Sequence, residues 1–357
     1  NYRDNRMFKR NNLMRTEQNR TEQNRTEQID VLKAICAFMV VYIHAPYPGP
    51  TGAYIISLFR IAVPIFFIIT GFYYSKIINK GKRLYQIRKI FLIAVKSNFI
   101  FLCWKFIIAF VKGKQYLKLF FADIFSINSI LNFILFNENE IGPHLWYLNA
   151  VLYVLLIAWL VDEFKARKLI IYIIPFLLLG DLLLGKYSLI LFGREFPYYY
   201  VRNFLFVGIP YFYIGIYIYT FRTKILHTKS RWLICAITFF SITTICERFF
   251  LIHVGKNAVR DHYFSTTFLS IFVFVYALSK EKYKDISKKS HWILLSKIGK
   301  DYSTDIYILH PLFLSIFQIM VGVVGLEAIW AFFAPIIIYI VTALYSVIAK
   351  NLKCRLF

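Results

Sequence analysis

Polar and apolar residues follow one another along this chain in long blocks, without the short alternation of a soluble sheet or helix. After a polar stretch over residues 1–28, apolar segments of roughly 17 to 25 residues recur, the length an α-helix needs to cross a bilayer. They fall at 29–46, 53–75, 90–111, 144–161, 169–184, 200–220, 232–250, 263–279, 302–322 and 328–348. The pattern predicts an all-α, polytopic transmembrane helix bundle of about ten spans over 29–348. A polar tail over 1–28 precedes it and a short segment, 349–357, follows. Segment 119–136 (LFFADIFSINSILNFILF) is interrupted by Asp123, Asn128 and Asn132 and reads as an interfacial or re-entrant helix. The tail repeats RTEQN between Arg15 and Gln28. A five-residue repeat advances about 140° per step on a helix, so it builds no consistent face.

Charge orients the bundle. With the N-terminus inside, 30 of the 43 Lys and Arg fall in the cytoplasmic segments and seven in the external ones. By the positive-inside rule both termini are then expected in the cytoplasm. The composition agrees: 59% of residues are hydrophobic and 17% charged, with a mean hydropathy of +0.56. A soluble chain sits near half apolar and about a quarter charged. The formal net charge of +24 clusters between apolar runs, a distribution that argues against nucleic-acid binding. The five cysteines form no CxxC pair and suggest neither a disulfide framework nor a zinc site. No cleavable leader is expected, because the first apolar run lies behind polar residues and reaches spanning length.

Charges within apolar spans are costly, roughly 2.5–3.5 kcal/mol on insertion scales, so each asks for a partner or a function. In the first span Lys33 and His44 are eleven residues apart, about three turns plus 20°, and point the same way roughly 16 Å apart. Asp30 lies within about 60° of that face. The stripe reads either as working chemistry or as end groups, Lys33 reaching the interface and His44 capping the span beside Pro46. Arg60 lies in the second span, Arg202 opens the sixth, and Glu247 and Arg248 end the seventh. These are candidates for ion pairing that fixes the bundle, or for substrate binding. Lys96 and Lys105 in the third span read as snorkelling or packing. His310 precedes Pro311 and is placed to satisfy carbonyls freed by a proline kink. His144 opens HLWYL, where a belt position beside Trp146 is as fitting as chemistry. No GxSxG, P-loop, HExxH or dinucleotide-binding motif occurs, and no metal site is expected.

IDVLKAICAFMVVYIH, FRIAVPIFFIITGFYYSK, IRKI, HLWYLNAVLYVLL, RNFLFVGIPYFYIGIYI and IGKDYSTDIYILHPLF, in this order, resemble the acyltransferase-3 membrane proteins over almost the whole chain. In that family a basic residue and a His with ten residues between them mark the first helix, as Lys33 and His44 do here. The resemblance implies a membrane O-acyltransferase in a bacterial cytoplasmic membrane. An acyl group, commonly acetyl, would pass from a cytoplasmic coenzyme A thioester to a hydroxyl of an external carbohydrate or cell-wall acceptor. It implies acyl-coenzyme A as co-substrate and no tightly bound cofactor. His44 would be the general base. Lys33, Arg88 and Lys89 would face the donor, with Lys82 and Arg83 in the same basic loop. Asp30, Arg60, His144, Arg202, Glu247, Arg248 and His310 would support the site or bind substrate.

Two departures point to another branch. Many members carry a Glu after the tryptophan motif where this chain has Val151, and the short HLWY form with CERFFLIH resembles the membrane domains of vancomycin-resistance serine racemases. That branch implies serine uptake, with Arg60 or Arg202 on the carboxylate and Glu247 on the ammonium. A cytoplasmic racemase domain would then follow Phe357.

Overall fold

The structure, a computed structural model, describes residues 27–78, 82–280, 290–352, 354 and 356–357. The RTEQN repeats lie outside the described residues. Helix dominates and no strand occurs among the described residues. The helices are α1 (27–44), α2 (Gly49–Phe59), α3 (Ala62–Ile78), α4 (Arg83–Lys112), α5 (Lys114–Phe125), α6 (Ile127–Phe136), α7 (Trp146–Glu163) and α8 (Arg167–Leu184). After these come α9 (Ser188–Leu191), α10 (Ile209–Thr220), α11 (Arg222–Ile225), α12 (Ser230–His253), α13 (Phe264–Ser279), α14 (Ser290–Asp301), α15 (Ser303–Val324) and α16 (Glu327–Asn351).

Each of the ten expected spans falls on helix. Among the described residues, seven helices are long and apolar enough by themselves to cross a membrane, eight if α5 and α6 form one bent span. Three expected spans fall short of that measure for visible reasons: α1 carries Glu27, Asp30 and Lys33, α13 has 16 residues, and α8 carries Arg167, Lys168 and Asp181. Segment 119–136 is two helices bent by 43°, capped at the break by the Ser126 hydroxyl, which accepts from the Ser129 amide at 3.1 Å. Only the first half buries side chains, Phe120 and Ile124, against Ala109 of α4.

The centre of the bundle is built from α1, α3, α7, α10 and α13, with Phe67, Ile68, Val154, Tyr211, Phe212 and Tyr213 wholly buried. Around it α4, α12 and α16 turn large apolar residues such as Phe99, Phe239 and Ile340 outward. In water such faces would drive association; against lipid tails they cost nothing, so packing rather than burial must hold the helices together. Backbone approach at α3 and α10 shows this. A Cβ on Gly71 would lie 1.8 Å from the Phe212 carbonyl oxygen, and one on Gly215 would lie 2.1 Å from that of Ile68. Only glycine permits the crossing.

The α2–α3 break falls on Arg60 and Ile61, so Arg60 stands at a helix end inside the Gly49–Lys76 span. Before α10 the chain makes a π-helical turn, Phe204–Gly208, whose first amides are satisfied by Asn203. The Asn203 Oδ1 accepts from Leu205 and Phe206 at 2.9 and 3.0 Å, and its Nδ2 donates to the Tyr199 and Tyr200 carbonyls at 2.9 Å. That side chain fixes the backbone on which Arg202 stands. Asn137, left-handed at the end of α6, ties this turn to α7: its Oδ1 accepts from the Phe204 amide at 2.8 Å and its Nδ2 donates to the Trp146 carbonyl at 3.2 Å.

Candidate functional site: three histidines beside an arginine–aspartate clamp

Three elements distant in sequence bring three imidazoles together. His44 ends α1, His144 lies in the 3-10 turn before α7, and His310 sits in α15 one residue before Pro311. Ring centroids are 5.0 Å apart for His44 and His310, 5.7 Å for His144 and His310, and 6.4 Å for His44 and His144. His310 and His144 are buried, at 0% and 4% exposure, whereas His44 keeps an accessible face.

Backbone carbonyls set two of the rings. The Nδ1 of His310 lies 2.9 Å from the Ile306 carbonyl oxygen, and the Nε2 of His144 lies 3.0 Å from that of Ile308. A carbonyl only accepts, so those nitrogens carry the protons and the other nitrogen of each neutral ring holds a lone pair. On His310 that is Nε2, buried and without a hydrogen-bond partner. The ring also meets the Tyr307 carbonyl, the one that Pro311 frees, as expected for a histidine beside a proline kink. The Tyr307 hydroxyl donates to the His144 carbonyl and fixes the HLWY turn against α15. Despite three histidines, no group of three or more His, Cys, Asp or Glu among the described residues is arranged to hold a metal ion.

His44 and His144 line a cavity together with Arg60, Arg202, Asp261, His262, Trp146, Tyr147 and Tyr307. Opposite the imidazoles stands an ionic clamp. Asp261 Oδ1 lies 2.6 Å from Arg60 Nη1, Asp261 Oδ2 lies 3.8 Å from Arg202 Nε, and the Tyr198 hydroxyl donates to Oδ1. Arg202 lies over the Trp146 and Tyr198 rings, with centroids 5.0 and 5.1 Å from its guanidinium carbon. Burial pushes the Asp261 carboxyl up, but Arg60, Arg202, His262 and Tyr198 outweigh it and hold it well below the usual carboxylate range. Next to it His262 Nδ1 pairs with Asp181 Oδ2 at 2.8 Å.

The structure brings His44, Arg60, His144, Arg202 and His310 together here. The other candidates lie elsewhere. Asp261, not Glu247, pairs with Arg60 and Arg202. The Glu247 carboxylate instead accepts from Tyr187 at 2.6 Å, from the Ser265 amide at 3.2 Å and from the Ser265 hydroxyl, closing the first turn of α13. Arg248 lies over the Tyr54 ring at 5.1 Å and reaches Ser57 at 3.4 Å. Lys33 pairs with Asp30 at 2.7 Å and sits over Tyr73, one helix length from His44. There α14 crosses α1 so closely that a Cβ on Gly299 would lie 1.7 Å from the Asp30 carbonyl oxygen. Arg88 and Lys89 are exposed on α4, and Arg83 pairs with Glu163 at 3.3 Å. Lys105 donates to the Glu140 carbonyl at 2.6 Å and Lys96 to that of Leu356 at 3.2 Å. Asp261, His262, Asp181 and Tyr198 were not singled out from the sequence.

An accessible imidazole facing a fixed pair of guanidiniums suits proton removal from a hydroxyl while charge develops beside it. The family with an acyltransferase domain named acyltransferase-3 matches residues 26–350. The chain belongs to the acyltransferase-3 family. It is thus a multi-pass membrane acyltransferase, and the histidine–arginine cavity lies wholly inside the acyltransferase-3 domain. Comparisons with curated proteins and with solved structures give no match.

Proposed function

We propose that this acyltransferase-3 protein moves an acyl group, acetyl in the simplest case, from a cytoplasmic coenzyme A thioester to a hydroxyl of an external carbohydrate or cell-wall acceptor. The observation that carries the reading is His44: the accessible member of the histidine cluster, facing Arg60 and Arg202 across one cavity. The acceptor hydroxyl gives its proton to His44 as its oxygen attacks the acyl carbonyl carbon. Negative charge gathers on the carbonyl oxygen, and the arginines offer the nearest positive charge. When the carbonyl re-forms, the bond to the thiolate sulfur breaks and coenzyme A leaves with a proton. His310 and His144, locked by backbone carbonyls, set the position of the His44 ring.

The cavity measures about 30 Å³ to the centre of a water-sized sphere. At roughly 10–15 Å³ per water on that measure, two waters fill it. A space of that size holds neither donor nor acceptor, so catalysis needs a wider cavity than this one. Lys33, Arg88 and Lys89 stand toward the expected cytoplasmic end, where a thioester with phosphate groups would approach.

Purified protein incubated with acetyl-labelled acetyl-coenzyme A tests the reading. We expect release of free coenzyme A that His44→Ala abolishes. Equal release by wild type and His44→Ala, with and without carbohydrate acceptors, would remove the base and with it the proposal.

A further inference from the structure

A second recess opens behind the clamp. It measures about 240 Å³ and is lined by Ser57, Arg60, Lys186, Arg248, Asn257, Arg260 and Asp261, among others. We propose that this recess binds an anionic group, a phosphate or a carboxylate, carried by the acceptor next to the hydroxyl that is acylated. The inference rests on the acyl-transfer reading and adds the acceptor's chemical class to it.

Charge is the first argument. Four cationic side chains line the recess against one carboxylate, Asp261, already shared by Arg60 and Arg202. Arg260 is paired with Glu195 at 3.1 Å, but among the described residues no ion pair joins Lys186 or Arg248 to a carboxylate. The buried Nε atoms of Arg248 and Arg260 make no hydrogen bond. A buried cation without a carboxylate partner, as Lys186 is, is costly, and an incoming oxyanion recovers that cost.

Lys186 is the second. It is 4% exposed, donates to the Ala258 carbonyl at 2.8 Å and lies over the Tyr263 ring at 4.4 Å. Burial and the neighbouring Arg60 and Arg248 charges pull its ammonium down to about 7, against the opposing pull of Asp261 and Glu195. Lys186 is thus partly charged at neutral pH, and an anion entering the recess would hold its proton on.

Connection is the third. Arg60 and Asp261 line this recess and the His44 cavity alike, so an anion here sits one guanidinium away from the imidazole. A third recess of about 80 Å³ adjoins the His44 cavity at Trp146 and Arg202, but it carries Glu138 and Glu140 and repels an anion.

Protein in phosphatidylcholine nanodiscs, with no acyl donor present, is titrated calorimetrically with glycerol 3-phosphate and with glycerol at fixed ionic strength. We expect the phosphate to bind at least tenfold tighter, its affinity to fall with added salt, and Arg248→Gln and Lys186→Met each to weaken it about tenfold. Arg248→Lys should keep most of the affinity, and thermal melts confirm that each variant is folded. Equal affinity for the two probes, no salt dependence, or phosphate binding untouched by both variants overturns the proposal. So does loss of binding in discs containing phosphatidylglycerol, which would assign the recess to a lipid headgroup. Because no donor is present, a negative result leaves acyl transfer standing, and failure of the labelled-donor assay leaves this binding result readable.

Discussion

The rings of His44 and His310 lie with centroids 5.0 Å apart, and only His44 reaches the cavity. The buried ring is oriented by the Ile306 carbonyl, so it can position its neighbour without meeting a substrate. General acid–base groups contribute about 10²- to 10⁴-fold in rate. His44→Ala should lower kcat by that factor, with KM for the acyl donor nearly unchanged. His310→Phe should cost roughly tenfold in kcat and displace the pH profile, because the lone pair on Nε2 disappears. Steady-state kinetics over pH 6–9 reads both outcomes; equal losses for the two variants would end the distinction between base and positioning residue.

The clamp gives a stability prediction. Asp261 is the carboxylate facing both Arg60 and Arg202, and its side chain is 11% exposed. Removing one partner of a buried ion pair costs about 3–5 kcal/mol. The arginines keep about a quarter of their side-chain surface, so the lower end applies. Asp261→Asn should destabilise by roughly 3 kcal/mol in denaturant unfolding, and the double variant with Arg202→Gln should recover part of the loss because one uncompensated charge is gone.

How far the chain pattern reveals the site follows from the cost of charge in apolar surroundings. Arg60, Arg202, His44, His144 and His310 stand out because each interrupts or ends an apolar run. Asp261 does not: it lies in VGKNAVRDHY, which reads as an ordinary polar connection. One signal was present. Two intramembrane arginines require an acid, and Asp261 is the one acidic residue between α12 and α13. Glu247 was the more conspicuous choice because it sits inside a span, but the geometry uses it to close α13. The helices themselves were legible because spanning length and hydropathy are local. Pairing across 200 residues is not.

Glu247 separates the two functional readings. Its partners are Tyr187 and Ser265, and it lines neither the His44 cavity nor the basic recess. Hydrogen bonds to a charged group contribute about 1.5–3 kcal/mol. Glu247→Gln should therefore lower the melting temperature while leaving KM for donor and acceptor within about twofold. If labelled serine enters proteoliposomes and this variant abolishes uptake without loss of fold, the transport reading gains its ammonium ligand.

His262 carries a pH prediction with a defined sign. Burial pulls its imidazole down, but Asp181 at 2.8 Å and the nearby Asp261 raise it by more, so the folded value lies above the ordinary one. A group that binds its proton more tightly when folded gives its full stabilisation below the unfolded value, about 6.5, and loses it as pH rises through the folded value. Relative to His262→Gln, wild-type stability should fall as pH rises from 6 toward 9. Lys186 works in the opposite sense over about 7 to 10, since its folded value is lowered, so the comparison must be wild type against variant. Parallel melting curves for the two proteins across that range would mean that the Asp181–His262 pair is not charged.

Backbone contact at the opposite end supplies a prediction free of electrostatics. A Cβ at Gly299 meets the Asp30 carbonyl oxygen at 1.7 Å and the Ala34 amide nitrogen at 2.9 Å, both backbone atoms that cannot swing away. Gly299→Ala must push α14 off α1, and forced core shifts of this kind cost about 1–3 kcal/mol. The displacement also moves the turn that holds Asp30 and Lys33, so KM for the acyl donor should rise if Lys33 faces the donor path. Gly322 is the control: a Cβ there meets only the Glu327 carboxylate at 4.0 Å. Gly322→Ala should leave the fold intact and stabilise α15 by up to about 1 kcal/mol through helix propensity alone. Unfolding curves and donor kinetics on the two alanine variants read this contrast, and a Gly299→Ala protein as stable as Gly322→Ala would show that α14 does not rest on α1 at this contact.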